Sequence, residues 1–240
     1  MARRDRGLGA PTFEGVLLDL YGTLIPAGPR ASRAPHLHAM ARRLGADPIR
    51  FESAWVAKTP DRMVGRLGSL ESTIRAIALE QGIEPTPEAV ESAVEIRLAF
   101  SRETLERCEP TLPDLAALRA AGLRLAVVSD TSAETPQLWP TSRLGSCVDT
   151  AVFSCDVGVC KPDPRMYRLA LERIGLPPER CAFVGDGGSR ELTGATAVGL
   201  RAFLFRYPEA APGPDARYDP DLAWGEPPLG ALRQLLPSGG

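Results

Sequence analysis

The side chains best suited to chemistry stand at four points where an apolar run of the chain gives way to polar residues. Each point places a carboxylate, a hydroxyl or an amine after residues typical of a buried strand. They are Asp19 with Tyr21 and Thr23 in LLDLYGTLI, Ser129 with Asp130 in VVSDT, Lys161 in VGVCKPDP, and Asp186 with Glu191 in GDGGSRE. Carboxylates can act as nucleophiles or hold a divalent cation, and an amine or a hydroxyl can bind an anion.

Tyr21 stands two residues after Asp19, and it decides which chemistry the first point can support. Side chains alternate along a strand, so these two side chains are expected to share one face of the site. A phenol has an unperturbed pKa of about 10, so it could donate a proton but would be a poor base near neutrality. A carboxylate partnered by a phenol therefore differs from a pair of carboxylates.

Strands and helices alternate in the second half of the chain, after Pro110. The pattern predicts strands at LRLAVVS, residues 148–153, CAFVG and LRAFLF, and helices at PDLAALRAAG, PRMYRLALERIG and ELTGATAVG. Such alternation indicates a parallel sheet covered on both faces, and the apolar run 16–18 supplies one more strand.

Residues 30–107 are predicted to be almost entirely helical. Ser32 is typical of a helix N-cap, and Thr86-Pro87-Glu88 is typical of the start of another helix. The predicted fold class is α/β: residues 1–29 and 108–240 form a doubly wound, Rossmann-like core, and the helical residues 30–107 are inserted after its first strand. Residues 207–240, rich in Pro and Gly, offer at most a short strand and one helix.

The four polar points are expected to meet in space. In a doubly wound sheet, a ligand binds beyond the carboxyl ends of the strands, which all lie at one edge. Because each point follows a predicted strand or its loop, the sequence predicts one shared site at that edge.

In order and spacing, these residues resemble the four motifs of the haloacid dehalogenase-like hydrolases. The matching parts are Asp19-Leu20-Tyr21-Gly22-Thr23, Ser129, Lys161-Pro162, and Gly185-Asp186 followed by Glu191. The match extends over nearly the whole chain, and residues 30–107 resemble the helical cap that this superfamily carries between its first two motifs.

The resemblance implies a role for each motif residue. Asp19 would be the nucleophile, and Thr23 would help to position its loop. Ser129 and Lys161 would bind the anionic group of the substrate, with Asp130 beside them in the substrate site. A magnesium ion would be held by Asp19, a backbone carbonyl near Tyr21, Asp186 and Glu191. Glu191 stands where the superfamily usually has Asp, and its longer side chain could ligate the metal directly or through water; an acid in the first turn of a helix is nearly as good an explanation.

These roles favour a magnesium-dependent phosphatase that acts on a small phosphorylated metabolite through an aspartyl-phosphate. A carboxylate that attacks a phosphate dianion meets like-charge repulsion, which a divalent cation and the charge of Lys161 would offset. Covalent capture on Asp19 would divide hydrolysis into two easier steps.

Tyr21 supports a different reading, a 2-haloacid dehalogenase. The D-x-Y-G-T form resembles enzymes of that type, in which the Asp attacks carbon without a metal and the halide leaves without a proton. Asp186 argues against it, because its charge would repel a carboxylate substrate, and the Asn and Trp of the dehalogenase fourth motif are missing. The phosphatase with an altered acid position is therefore preferred. A non-catalytic protein that binds a ligand or partner is a further alternative, since fold does not determine function.

Composition excludes several other classes. With 28 basic and 30 acidic residues the net charge is -2, which gives no basic surface for nucleic acid. No apolar run approaches the roughly 20 residues of a membrane span, and no apolar signal segment follows the N-terminus. Five cysteines without metal-type spacing are typical of reduced thiols. We expect a cytoplasmic enzyme with a small-molecule substrate and no membrane or nucleic-acid partner; the oligomeric state stays open.

Substrate identity is expected to depend on the helical residues 30–107. Lys58, Arg62 and Arg66 are spaced so that one or two could face the site and read a second anionic group. A solvated helix face is the commoner position for such charges. Trp55 is predicted to be a packing residue.

Overall fold

The computed structural model describes residues 13–26 and 33–205 of the 240-residue chain. The predicted N-cap at Ser32, the boundary between residues 29 and 30, and the elements predicted within 207–240 lie outside this described part.

The described residues contain one sheet of five parallel strands in the order β3-β2-β1-β4-β5. The strands are β1 (Gly15–Leu18), β2 (Arg124–Ser129), β3 (Thr150–Phe153), β4 (Cys181–Gly185) and β5 (Arg201–Leu204). In the register of the sheet, Leu18 of β1 lies between Val127 of β2 and Val184 of β4. The strand order reverses beside β1, and the crevice beyond such a reversal is where doubly wound sheets bind ligands.

Helices lie between consecutive strands along the chain. They are α1 (Ala34–Leu44), α2 (Pro48–Ala57), α3 (Thr59–Met63), α4 (Leu70–Leu79), α5 (Pro87–Glu106), α6 (Leu112–Ala120), α7 (Glu134–Leu138), α8 (Arg143–Cys147), α9 (Ser154–Val157), α10 (Pro164–Ile174) and α11 (Glu191–Ala197). Thr86 caps α5 as predicted, because its hydroxyl accepts a hydrogen bond from the N–H of Ala89.

Two hydrophobic cores cover the two faces of the sheet. Alternate strand residues enter different cores: Val16, Leu18 and Val127 pack with α6 and α8, whereas Leu17 and Ala126 pack with α10 and α11. The strand β1 carries no polar side chain because all four of its residues are buried. Full burial of each large aliphatic side chain contributes about 1.5–3 kcal/mol. The predicted fold class, a doubly wound α/β sheet, is confirmed.

The helices between β1 and β2 have a core of their own. Met40, Phe51, Trp55, Ile74 and Ile77 belong to this third cluster, which brings α1, α2, α4 and α5 together. The C-terminal end of α5 instead adds Leu105 to a core of the sheet. The insertion is helical as predicted, and its division from the core at residues 30 and 107 stays a prediction.

Two local expectations differ from the structure. The third strand begins at Thr150 rather than at residue 148, after the turn of α8. The short helices α7, α8 and α9 were not predicted, because four or five residues are too few to show a helical period. Within residues 13–26 and 33–205, no helix combines the length and the apolar character needed to cross a bilayer.

Candidate active site

Asp19 directly follows β1, and its buried carboxylate is held at both oxygens. Oδ1 accepts a hydrogen bond from Lys161 Nζ at 2.5 Å, and Oδ2 accepts one from Thr23 Oγ1 at 3.0 Å. The chain reverses between these residues, with the N–H groups of Leu24 and Ile25 both bonded to the carbonyl of Leu20. The turn after β1 therefore brings Thr23, which was predicted to help position this loop, back to the carboxylate of Asp19.

Lys161 lies on the segment between α9 and α10, and its ammonium joins two carboxylates. Besides Asp19, Nζ donates to Glu191 Oε2 at 2.5 Å, and the backbone N–H of Lys161 donates to Asp130 Oδ1 at 2.9 Å. Burial opposes the charge most strongly, but the carboxylates of Asp19, Glu191 and Asp130 together raise the pKa of Lys161 above its ordinary value. The side chain is thus a fixed cation at the site, and Asp130 positions its backbone.

Three carboxylates converge beyond the ends of β1 and β4. Asp19, Asp186 and Glu191 each offer an oxygen atom, and these atoms all lie within 4.8 Å of one another. Glu191 begins α11, and its Oε1 accepts a hydrogen bond from the N–H of Gly187 at 3.0 Å. Burial first, and then the charge of Asp19, raise the pKa of the Glu191 carboxyl well above its ordinary value.

The donor set of this cluster fits a divalent cation such as Mg²⁺. Hard carboxylate oxygens are the ligands that Mg²⁺ prefers. The buried carboxylates of Asp19 and Glu191 share the single ammonium of Lys161, and negative charge of this kind is costly to bury without a further counter-ion. Since both Glu191 oxygens already accept hydrogen bonds, from Lys161 and Gly187, this residue orients the lysine as well as adding charge.

Ser129 ends β2, the neighbour of β1, and its hydroxyl has no hydrogen-bond partner among the described residues. The residue is 1% exposed, so water does not readily replace the missing partner. An unsatisfied buried hydroxyl costs about 1–3 kcal/mol, which a ligand with acceptor oxygens would recover. This property fits the predicted role of Ser129 in binding an anionic group.

Tyr21 contacts different groups from Asp19. Its hydroxyl lies 2.9 Å from Thr135 Oγ1, which lies 2.5 Å from Thr131 Oγ1, and its ring packs against the core of α6 and α8. The strand ends at Leu18, so the alternation expected for residues 19 and 21 does not apply. Burial raises the pKa of the Tyr21 phenol above its ordinary value of 10, so the group stays protonated near neutrality.

The three basic residues proposed for substrate reading have different surroundings. Lys58 pairs with Glu80 at 2.5 Å, and the exposed Arg66 pairs with Asp61 at 2.7 Å. Arg62 is buried, and its Nη1 donates to Ser132 Oγ at 3.1 Å, on the loop after β2. Only Arg62 of the three therefore reaches the edge that carries the candidate site.

Sequence reasoning missed several residues that connect the insertion to this edge. They are Ser132, Glu134 and Ser154 on the core side, and Arg97 on α5. Thr131 and Thr135, which were also given no role, extend the hydrogen bonds of Tyr21 within the core. Thr131 and Ser132 directly follow Ser129-Asp130 in the sequence, and this position was the one signal that could have identified them as site residues. Arg97 and Glu134 are separated by 37 residues, and nothing in the sequence pairs them.

The chain is similar to known proteins of one hydrolase family. A family model described as haloacid dehalogenase-like hydrolase matches residues 13–199. The chain is 32% identical to the phosphoserine phosphatase of Thermus thermophilus over 168 residues, which cover 67% of this chain and 65% of that protein, slightly less than two thirds. It is 28% identical to the phosphoglycolate phosphatase of Salmonella typhi over 227 residues, which cover 86% and 89%.

A solved structure shows the same fold. The 2-haloacid dehalogenase of Pseudomonas syringae superposes with a TM-score of 0.64 at 24% identity, and the match covers 93% of this chain and 98% of that one. At this identity the likeness concerns the fold alone.

Proposed function

The chain belongs to the haloacid dehalogenase-like hydrolases, and from that premise we propose that it is a magnesium-dependent phosphatase of a small phosphorylated metabolite. The observation that carries the proposal is the cluster of Asp19, Asp186 and Glu191, whose oxygens lie within 4.8 Å of one another. A site that attacks carbon without a metal has no use for this concentration of negative charge. The similar phosphoserine and phosphoglycolate phosphatases point in the same direction.

In the proposed reaction, Asp19 is the nucleophile. Its carboxylate attacks the phosphorus atom, the bond from phosphorus to the leaving oxygen breaks, and the departing alkoxide takes a proton from water. A second water then attacks phosphorus and gives a proton to solvent, the bond from phosphorus to Asp19 breaks, and inorganic phosphate leaves with the carboxylate restored. Lys161 and Thr23 hold the attacking carboxylate in place through their hydrogen bonds to its two oxygens.

The anionic group of the substrate would be bound at the ends of β1 and β2. The ammonium of Lys161 supplies a fixed positive charge beside the attacked group, and Ser129 supplies a hydroxyl that has no other acceptor. A magnesium ion held by Asp19, Asp186 and Glu191, with a backbone carbonyl near Tyr21, would neutralise charge on the phosphate oxygens. The helices of the insertion would act as a cap over this site.

Protonation of the leaving oxygen is the step that the residues of the proposed site support least. A carboxylate at position 21 would supply that proton, whereas the Tyr21 hydroxyl is engaged with Thr135. Substrates whose alcohol leaves readily should therefore react faster than simple alkyl phosphates.

The test is phosphate release from a panel of esters, with Mg²⁺ and with a chelator. We expect turnover of p-nitrophenyl phosphate with Mg²⁺, and a loss of about 10³-fold or more in Asp19→Asn and after chelation. Asp186→Asn should require far more Mg²⁺ for half-maximal activity. Glu172→Gln, an exposed acid on α10, serves as the matched control. Turnover that continues unchanged in the chelator would contradict the proposal.

The second candidate is a 2-haloacid dehalogenase, which Tyr21 favours because a departing halide needs no acid. Release of chloride from 2-chloropropionate in the presence of chelator would support it over the phosphatase. If the protein neither hydrolyses an activated ester nor binds a phosphoryl mimic such as beryllium fluoride, the non-catalytic alternative is the better description.

A further inference from the structure

Arg62 on α3 is a buried cation whose hydrogen bonds all go to neutral groups. Nη1 donates to Ser132 Oγ at 3.1 Å, while Nη2 donates to Thr59 Oγ1 at 3.1 Å and to the carbonyl of Trp55 at 3.4 Å. Nε is buried and has no hydrogen-bond partner among the described residues. The residue is only 7% exposed. One donor of the guanidinium is therefore left unsatisfied among the described residues.

The helix that carries Arg62 is attached to the edge of the sheet where the candidate site lies. Ser154 Oγ donates to the carbonyl of Met63 at 2.6 Å and accepts from the N–H of Thr131 at 2.9 Å. These two bonds hold the end of α3 against the loop that follows Ser129. Because Ser129 and Ser132 are three residues apart, their Cα atoms lie within about 11 Å of each other. The separation of Ser129 from Ser132, which binds the guanidinium, is therefore within the length of a small molecule.

Positive charge exceeds negative charge around Arg62. The guanidinium of Arg62 lies 4.4 Å from the centre of the Trp55 ring, and that of Arg97 lies 5.2 Å from it. Glu134 pairs with Arg97 at 2.5 Å, so Arg62 has no carboxylate of its own among its hydrogen-bond partners. The pKa of Arg62 is lowered to about 10, chiefly by burial; the charge of Glu134 raises it, and the charges of Arg97 and Arg33 lower it. A buried guanidinium in this state is stabilised by an anion.

We propose that Arg62 binds a second anionic group of the substrate, a carboxylate or a second phosphoryl group, while Ser129 and Lys161 bind the transferred phosphoryl group. The substrate is then a small phosphorylated acid or a bisphosphate, and not the phosphate ester of a neutral alcohol. This inference rests on the proposed phosphatase function.

The test compares three esters with the same two-carbon skeleton: 2-phosphoglycolate, ethylene glycol bisphosphate and 2-hydroxyethyl phosphate. We expect the wild-type protein to prefer at least one of the two anionic esters over the hydroxyethyl ester by roughly 100-fold in kcat/KM. A preference for 2-phosphoglycolate identifies the second anionic group as a carboxylate, and a preference for ethylene glycol bisphosphate identifies it as a phosphoryl group. Arg62→Gln should reduce the preference to a few-fold, chiefly through KM. Arg62→Lys, which keeps the charge without the planar fork, should restore it in part.

The exposed neighbour provides the matched control, since Arg66→Gln should leave the preference of the wild type unchanged. A residue that only holds α3 in place would alter all three esters alike. An unchanged ratio in Arg62→Gln, or a wild type without any preference, would overturn the inference while leaving the phosphatase function standing.

Binding measured by calorimetry tests the arginine site in the two remaining cases, in which Arg62→Gln does not fold or no ester is hydrolysed at all. In the second case the phosphatase function fails, and the arginine site is judged separately. Asp19→Asn protein should bind 2-phosphoglycolate or ethylene glycol bisphosphate at least about 10-fold more tightly than 2-hydroxyethyl phosphate. Equal affinities for the three compounds would refute the arginine site.

Discussion

The carboxylate of Asp186 occupies the space that a side chain at Gly22 would need. A Cβ atom at position 22 would lie 2.2 Å from Asp186 Oδ2, and the φ angle of Gly22 is +95°. The turn after β1 and the loop after β4 can therefore approach each other only because residue 22 has no side chain. This close approach brings Asp186 to the turn that carries Asp19.

Gly22→Ala should separate these two loops. We expect it to lower the free energy of unfolding by more than about 3 kcal/mol and to lower phosphatase activity more than tenfold, because both the backbone angle and the carboxylate must move. Gly45→Ala is the control: Gly45 also has positive φ, +71°, but no atom lies within 4 Å of its Cβ position. It should cost only about 1–2 kcal/mol. Urea unfolding of both variants makes the comparison, and equal losses would show that the contact with Asp186 is unimportant.

A divalent cation should stabilise the folded protein through the cluster of Asp19, Asp186 and Glu191. At a Mg²⁺ concentration 100 times its dissociation constant, the free energy of unfolding should rise by about 2.7 kcal/mol. Because the pKa of Glu191 is raised by burial and by Asp19, protons compete with the cation, and the gain should shrink as the pH falls. Thermal unfolding with and without Mg²⁺ measures the gain. Asp186→Asn should lose most of it, and an equal gain in that variant would place the cation elsewhere.

Tyr21 should not be a titrating group of the reaction. Burial raises its pKa above the ordinary value of 10, so the phenol stays neutral at every pH below 10. The pH–rate profiles of the wild type and of Tyr21→Phe should therefore have the same limbs between about pH 5 and 9. A limb that is lost in Tyr21→Phe would assign the phenol a proton-transfer role after all.

Restoring a carboxylate at position 21 tests the altered acid position directly. Tyr21→Asp should raise kcat for an alkyl phosphate by about tenfold or more, because a general acid contributes about 10²–10⁴-fold in favourable geometry. The gain should be smaller for p-nitrophenyl phosphate, whose leaving group needs no proton. If neither rate rises, the missing acid does not limit turnover.

The pair of half-buried Arg97 and buried Glu134 should make stability depend on pH. Burial opposes ionisation of Glu134 most strongly, but the charge of Arg97 and several hydrogen bonds lower its pKa below the ordinary 4.5. A lowered folded-state pKa adds stability above about pH 4.5, and this stability is lost as the pH falls through the folded-state value. Glu134→Gln should therefore cost about 3 kcal/mol at pH 7 and less at pH 3–4.

An exposed ion pair provides the control for that measurement. Glu71 pairs with Arg75 on the surface of α4, and Glu71→Gln should change stability by less than about 0.5 kcal/mol at either pH. Urea unfolding at pH 7 and pH 4 separates the two cases. A loss in Glu134→Gln that does not depend on pH would mean that the contribution is packing rather than charge.

The sequence was sufficient for the architecture because the relevant signals are local. The apolar run before Asp19, the Thr86-Pro87 helix start and glycines at helix ends such as Gly45 and Gly175 act within a few residues, so they are visible in the sequence. The meeting of Asp19, Lys161 and Asp186 also followed from the sequence, because all strands of a parallel sheet end at one edge.

Contacts between distant segments could only be read from the tertiary structure. Lys58, Arg62 and Arg66 are alike in sequence, yet only Arg62 is buried against Ser132, because the packing of α3 on the loop after β2 decides which face is covered. The strand alternation that linked Tyr21 to Asp19 failed for a similar reason: the chain turns after Leu18, and tertiary contacts with Thr135 then orient the phenol. The sequence by itself thus determined the elements and the edge where they meet. The three-dimensional packing decided which polar groups are paired there and which are left for a ligand.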